Sequence, residues 1–96
     1  MATQIRAADI RAVVHQVSTE LGLLPQLGGN GSYLFPGDRS LLISGWHHYP
    51  AGWSRGWTYK DPKRYVGSRH DGGRYEGRGW KDRMAQDIVV AFRGPP

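Results

Sequence analysis

A stretch in the middle of the chain, from Leu41 to Tyr59, constrains the fold more than any other part of the sequence. It holds three of the four tryptophans, two adjacent histidines and two tyrosines. Every tryptophan in the chain follows a glycine, so a bare backbone lies beside each large ring. Glycine lets a neighbouring strand or a ligand approach the main chain closely. The rings of this stretch therefore either fill a core or face a partner, and these alternatives lead to different functions.

The length of the chain predicts a single domain over residues 1–96, because a chain of this size buries roughly two thirds of its unfolded surface. Cysteine is absent, which excludes disulfides, thiolate catalysis and zinc sites built on cysteine. The N-terminal segment carries charges at Arg6, Asp9 and Arg11 and has no continuous apolar run. We therefore expect a cytoplasmic protein with no membrane partner.

The positive charge lies in the same half of the chain as the tryptophans. The net charge is +5, and the window from Arg39 to Arg83 contains ten Lys/Arg against four Asp/Glu. A field of this sign attracts polyanions such as nucleic acid, or an acidic protein face. The alternative is a charged surface that only keeps a small domain soluble.

Two amphipathic helices are predicted, one at each end of the chain. An apolar stripe at helical spacing predicts the first from Gln4 to Leu21, with Thr3 or Asp9 as N-cap and Gly22 at the C-terminal end. A second stripe predicts a helix from Trp80 to Phe92. The stripes consist of Ile10, Val13, Val14, Val17 and Leu21, and of Trp80, Met84, Ile88 and Ala91.

Between the helices the sequence predicts a small antiparallel sheet. Ser32 to Phe35 and Leu41 to Trp46 or His48 form a hairpin around the turn Pro36-Gly37-Asp38. Leu41, Ile43 and Gly45 would then face one side, and Leu42, Ser44 and Trp46 the other. A third strand is expected either at Trp57 to Tyr59 or at Arg64 to Ser68.

These elements predict an α+β fold in the order α-β-β-β-α, a three-stranded antiparallel sheet with both helices on one face. The other face of the sheet would be open. Residues 68–79 contain four glycines and no apolar periodicity, which predicts a flexible Gly/Arg loop.

The proposed binding residues are aromatic side chains interleaved with basic ones. Rings can stack on bases, and basic groups can pair with phosphates, so the mixture is typical of proteins that bind flexible nucleic acid, DNA or RNA. Trp46 and Trp80 are expected in the core. The predicted stacking residues are Trp53, Trp57 and Tyr59, and the predicted phosphate-contacting residues are Arg55, Lys60, Lys63, Arg64, Arg74, Arg78 and Lys81.

No catalytic, metal or cofactor site is predicted, and we expect the protein not to be an enzyme. His47 and His48 are adjacent, so on a strand they point to opposite faces and cannot chelate one ion. The sequence has no Gly-x-Ser-x-Gly elbow, and the glycine run at 28–31 precedes a strand and lacks the P-loop lysine. Asp71 and Glu76 lie in an arginine-rich segment, where ion pairing is the expected use.

A protein partner is the second hypothesis, because tryptophan, tyrosine and arginine are also the side chains most enriched at interface hot spots. The partner would be an acidic host protein, which the chain binds and modulates, or a second copy of the chain in a homo-oligomer.

Two resemblances accompany these hypotheses. The element order resembles that of a double-stranded RNA-binding domain, with Lys81 and Arg83 at the start of the last helix, although the loop at residues 36–39 does not match that family's motif. The segment GRGWKDRMAQDIVVAF looks like small proteins of bacteriophages that infect actinobacteria. The second resemblance implies a viral protein that acts in the host cytoplasm, and neither transfers a residue's role.

Overall fold

The computed structural model describes residues 5–47, 53–70 and 73–94, which form a five-stranded antiparallel sheet with two helices. Each strand pairs with the next one along the chain, so the order across the sheet is β1-β2-β3-β4-β5. The α+β class is confirmed, and the prediction of three strands was wrong. The elements are α1 (Ala7–Leu21), β1 (Gln26–Leu27), β2 (Tyr33–Phe35), β3 (Arg39–His47), β4 (Trp53–Asp61), β5 (Arg64–His70) and α2 (Trp80–Arg93).

The two segments treated as alternatives for the third strand are both strands. Trp57 to Tyr59 lies in β4 and Arg64 to Ser68 lies in β5. A tight turn joins them, in which the Asp61 carboxylate accepts a hydrogen bond from the Lys63 backbone N–H at 2.9 Å. Aspartate closes turns in this way because its side chain can bond to a backbone group two residues ahead. β1 was missed because two residues carry no periodic signal.

The predicted hairpin is confirmed as β2 and β3, in which Phe35 pairs with Arg39. Its turn contains Gly37 at φ 82° and Asp38 at φ 59°. The two faces of β3 are also as predicted, since Leu41 and Ile43 are buried and Leu42 is 37% exposed. The side chain of Trp46 lies outside what the structure describes.

Both helices end where the sequence predicts, but α1 begins later than expected. Its N-cap is Arg6, whose backbone N–H donates to the Asp9 carboxylate at 3.3 Å. Of the two predicted N-cap residues, Asp9 lies inside the first turn of α1 and Thr3 lies outside the described residues. Gly22 takes the left-handed conformation at the C-terminal end of α1, where a residue with a side chain would be strained.

The core lies between the helices and the inner face of the sheet. The Tyr59 ring stacks on Phe92 in α2, with centroids 4.0 Å apart, and Phe35 meets Phe92 edge-on at 4.8 Å. Such aromatic pairs stabilise a core by about 0.5–1.5 kcal/mol beyond the area they bury. The buried core residues are Val13, Val14, Val17, Phe35, Leu41, Ile43, Trp57, Tyr59, Tyr75, Met84, Ala85, Ile88, Val89 and Phe92.

Gly45 in β3 allows the segment before α1 to lie against the sheet. A Cβ at this position would come within 3.0 Å of both the backbone nitrogen and a side-chain methyl of Ile5. A glycine before a tryptophan was predicted to let a strand or a ligand approach the main chain closely. At Gly45 the approaching group is Ile5 of the same chain.

We expect Gly45→Ala to lower the free energy of unfolding by about 1–2 kcal/mol, because the added methyl overpacks the contact with Ile5. Urea denaturation measures the change. Gly29→Ala is the matched control, since a Cβ at Gly29 has no heavy atom within 4 Å, and we expect a change within about 0.5 kcal/mol. A Gly45→Ala variant as stable as the wild type would contradict the close contact.

Candidate nucleic-acid interface

Two of the three predicted stacking residues are buried on the inner face of the sheet. Trp57 is 3% exposed, and its indole Nε1 donates a hydrogen bond to the Tyr75 hydroxyl at 3.0 Å. Tyr59 is fully buried against Phe92. Neither ring offers a free face to a base, so the prediction that Trp57 and Tyr59 stack on nucleic acid was wrong. Trp53 begins β4, and its side chain lies outside what the structure describes.

A chain of hydrogen bonds runs from Trp57 through Tyr75 to α2. The Tyr75 hydroxyl accepts from Trp57 and donates to the Asp87 carboxylate at 2.6 Å. Arg74 makes a bidentate pair with the same carboxylate, at 2.5 and 2.7 Å. Arg74 was predicted to contact phosphate, and it instead neutralises a carboxylate of its own chain.

The pKa values of this network follow from its burial and its charges. Burial raises the pKa of Tyr75 to about 12, and the hydrogen bond to Asp87 acts in the same direction. Burial alone would raise the pKa of Asp87, but the hydrogen bonds from Arg74 and Tyr75 and the charges of Arg74 and Arg69 outweigh it, so this pKa lies below its usual value. Tyr75 is therefore held neutral and Asp87 ionised at neutral pH.

Arg55 also has an internal role. Its Nη1 donates to the Tyr75 carbonyl at 2.8 Å, and its guanidinium carbon lies 4.3 Å from the centroid of the Trp80 ring. A cation over an indole face is stabilised by the ring quadrupole. Arg55 therefore ties β4 to the segment before α2, and Trp80, which is half-buried, packs against the core as expected.

Arg64 caps the C-terminal end of α2 and is not free for phosphate. Its Nη2 donates to the carbonyls of Ala91 and Phe92, the latter at 2.9 Å, and its Nε lies 3.6 Å from the Asp61 carboxylate. The last carbonyls of a helix lack partners within the helix and carry partial negative charge. An arginine from β5 satisfies two of them here.

Of the predicted flexible loop at residues 68–79, the structure describes residues 68–70 and 73–79. Ser68 to His70 belong to β5, and residues 73–79 are held by Arg83, which donates to the carbonyls of Arg74, Glu76 and Arg78 at 2.6–2.9 Å. Tyr75 is fully buried within this segment. One buried ring and one arginine fix the segment, and neither produces apolar periodicity in the sequence.

The two remaining predicted residues of this region, Arg78 and Lys81, are exposed. Lys81 lies at the start of α2, and its Nζ is 3.4 Å from the Asp9 carboxylate of α1. An exposed pair of this kind contributes little to stability, which leaves the lysine accessible.

The predicted residues do not form one surface. Trp53 and Lys60 are seven positions apart on the same strand, which places them about 23 Å apart at the rise of an extended chain. Arg74, Arg78 and Lys81 belong to the Trp53 end, whereas Lys60 and Lys63 lie at the other end, near the turn between β2 and β3. The predicted basic residues are therefore spread along the length of the sheet, and the buried Trp57 and Tyr59 are not exposed beside them.

The open face of the sheet carries a cleft that combines Lys60 with uncharged polar side chains. Its volume is about 380 Å³. None of the described residues that line it carries a carboxylate, so the charge of Lys60 is not neutralised inside the cleft. We call this cleft the open-face cleft, and its lining residues are Gly28, Asn30, Ser32, Leu34, Ser40, Leu42, Thr58 and Lys60.

A second cleft, with a volume of about 310 Å³, lies at the turn end of the sheet and contains Arg39 and Lys63 together with Asp61. Arg39 Nε donates to the Pro36 carbonyl at 2.7 Å, and its guanidinium carbon lies 5.5 Å from the centre of the Phe92 ring. The exposed Lys63 lies in the turn that begins at Asp61. Together with Lys60, these side chains place three cations at one end of the sheet.

Apart from Lys60, the polar residues of the open-face cleft were missed although a sequence signal existed. Ser40, Leu42 and Ser44 alternate with buried Leu41 and Ile43, and Thr58 and Lys60 alternate with Trp57 and Tyr59. Period-two alternation assigns these side chains to the open face of the sheet. The prediction followed the density of aromatic residues instead.

Among residues 5–47, 53–70 and 73–94, no group of three histidine or acidic side chains is placed to hold a metal ion. His48 and Asp71 lie outside the described residues. Neither described helix combines the length and apolarity needed to cross a bilayer. Comparison with protein-family models, curated proteins and solved structures finds no match to this chain.

Replacing Tyr75 should destabilise the protein by about 2–3 kcal/mol. Tyr75→Phe leaves the buried Trp57 N–H without an acceptor and removes a donor from Asp87, and a buried polar group without a partner costs about 1–3 kcal/mol. Urea denaturation measures the loss. Tyr33→Phe is the control, because that half-buried hydroxyl has no hydrogen-bond partner among the described residues, and equal losses in both variants would contradict the role of Tyr75.

The same network predicts a loss of stability in alkali. The pKa of Tyr75 is about 12 in the folded protein and about 10 when the chain is unfolded, so its contribution is fully present below pH 10 and is lost as pH rises through about 12. The free energy of unfolding, measured in urea between about pH 9 and pH 12, should fall more steeply in the wild type than in Tyr75→Phe. The variant keeps part of the slope because the pKa of Tyr59 is also raised by burial. Identical slopes would contradict the burial of a neutral Tyr75.

Proposed function

We propose that the protein is a non-enzymatic binding module for an anionic partner, and that the partner is nucleic acid bound at the open-face cleft and the turn end. The observation that carries the proposal is the exposed Lys60 in a cleft of hydroxyl and amide groups whose described lining has no carboxylate. Most protein contacts to nucleic-acid backbones come from lysine, arginine, serine, threonine and asparagine. Each of these residue types except arginine is present in the cleft, and Arg39 lies at the turn end beside it.

The proposed contacts are mainly to the phosphates and sugars of the backbone. Ser40 and Thr58 lie on neighbouring strands beside Lys60, and the amide of Asn30 keeps free N–H donors because its oxygen already accepts from the Ser32 backbone N–H at 3.1 Å. Leu34 and Leu42 supply apolar surface for sugars or bases. With Trp57 and Tyr59 buried, the affinity would come from electrostatics, which gives little preference among sequences.

The phosphate-contacting residues that we retain are Lys60 and Lys63. The salt dependence follows from this count. Two phosphate contacts on a single strand predict a log-log slope of affinity against salt of about −1.4, since each contact contributes about 0.7. A nucleic-acid partner would place the protein in the cytoplasm. If the chain is encoded by a bacteriophage, as the resemblance of its last helix to small bacteriophage proteins implies, this would be the host cytoplasm.

The test is fluorescence anisotropy of labelled single-stranded DNA and RNA at several salt concentrations. Lys60→Ala should weaken binding at low salt and reduce the slope by about 0.7, because one phosphate contact is lost. Arg11→Ala is the matched control: it removes one exposed charge from α1, far from the cleft, and should leave the slope unchanged.

Two results would count against the proposal. Absence of binding at low salt would make the open-face cleft a solvated polar surface. Equal effects of Lys60→Ala and Arg11→Ala would mean that only the net charge of the protein attracts the polyanion.

A further inference from the structure

β5 is a sheet edge with an unoccupied groove beside it. Among the described strands, β5 pairs only with β4, so one row of its backbone N–H and C=O groups has no strand partner. α2 packs over β4, which leaves the space between β5 and the second half of α2 open. This groove has a volume of about 330 Å³. An exposed strand edge next to a groove is the arrangement in which an added peptide strand can bind.

The walls of the groove are apolar in the middle and charged at the sides. Val66 and Gly67 belong to β5, and Val90 and Ala91 belong to α2, where Val90 is 65% exposed. The buried Trp57 forms part of the floor. These residues can receive small apolar side chains from an extended segment.

The charge of the groove selects an acidic segment. Arg69 is exposed and makes no hydrogen bond or salt bridge to any described residue, whereas Asp87, the acidic member of the described lining, is already paired by Arg74 and Tyr75. Arg64 lines the other end of the groove, where it is already paired with Asp61 and the last carbonyls of α2. The charge of Arg69 acts on Asp87 at a distance, but no hydrogen bond or salt bridge to a described residue holds its guanidinium, which can therefore pair with a carboxylate that enters the groove.

A second copy of this chain is a poor occupant of the same edge. β5 carries Arg64, Arg69 and His70 and contains no acidic residue. Pairing two copies of β5 would bring these basic groups together without a compensating carboxylate, and basic residues on an edge strand are a common device against self-association. The occupant that this edge favours comes from another protein.

We propose that β5 and α2 form a peptide-binding groove that takes an extended acidic segment of a partner protein as a sixth strand. Main-chain hydrogen bonds to β5 would supply affinity, and an acidic side chain beside Arg69 together with an apolar side chain beside Val90 would supply specificity. The groove is separate from the open-face cleft, and the proposal does not depend on nucleic-acid binding.

The probe is a fluorescein-labelled peptide of sequence Glu-Thr-Val-Thr-Glu-Thr-Val-Thr, used with the full-length protein. Alternate residues of a strand face opposite sides, so its glutamate and valine side chains can enter the groove while the threonines face away. Fluorescence anisotropy should give saturable binding. Lack of binding at about 1 mM protein would overturn the proposal.

Backbone methylation tests strand addition directly. One version of the peptide carries N-methyl groups on the glutamates and valines, and the other carries them on the threonines. A peptide bound at an edge uses the N–H groups of one side only, so one version should lose about tenfold or more in affinity and the other should keep it. Equal affinities of the two versions would overturn strand addition.

Protein variants test the charge. Arg69→Glu should lose about tenfold for the glutamate peptide and bind the corresponding lysine peptide instead, because the charge of the groove is reversed. Arg11→Glu makes the same change in net charge on α1 and should bind the glutamate peptide like the wild type. Circular dichroism confirms that the variants fold. If Arg69→Glu keeps its preference for the glutamate peptide, the groove does not select by charge and the proposal fails.

Discussion

The hydrogen bonds that Tyr75 makes to Trp57 and Asp87 are the contacts on which the rest of the molecule depends. They join β4, the segment before α2 and α2 itself around one buried hydroxyl. A buried indole N–H without an acceptor costs free energy. The Tyr75 hydroxyl supplies that acceptor and so allows the Trp57 ring to be buried. Once this ring is inside, α2 lies over β4, and β5 remains at the edge with a groove beside it.

The basic residues divide into two classes with different uses. Arg55, Arg64 and Arg83 donate to backbone carbonyls, and each fixes the end of an element or a turn. The planar guanidinium, with several donors in fixed directions, suits this use, whereas lysine is a strongly hydrated point charge on a flexible stem. The exposed Lys60 and Lys63 therefore remain available for a partner. The net positive charge of the chain therefore overstates the size of its binding surface, because several of the arginines stabilise the fold instead of facing a partner.

How much the sequence could predict depends on whether its signals were periodic. The helices and the first hairpin follow from apolar spacing and from Gly22, Gly37 and Gly94, and the structure confirms them except at the start of α1 and of β3. The alternation of Trp57 and Tyr59 with Thr58 and Lys60 also indicated that the rings are buried, but the number of aromatic residues was given more weight. The capping role of Arg64 and the burial of Tyr75 could not be predicted, because each depends on residues that are distant in sequence.

The central claim is that the rings of β4 belong to the interior and that a polyanion meets the opposite face. The most direct measurement is a two-dimensional NMR spectrum of the backbone and indole N–H groups, recorded while a single-stranded oligonucleotide is added. We expect the backbone signals of Ser40, Thr58 and Lys60 to shift and the indole signal of Trp57 to stay in place. A shift of the Trp57 indole signal larger than those of the open-face residues would contradict the claim.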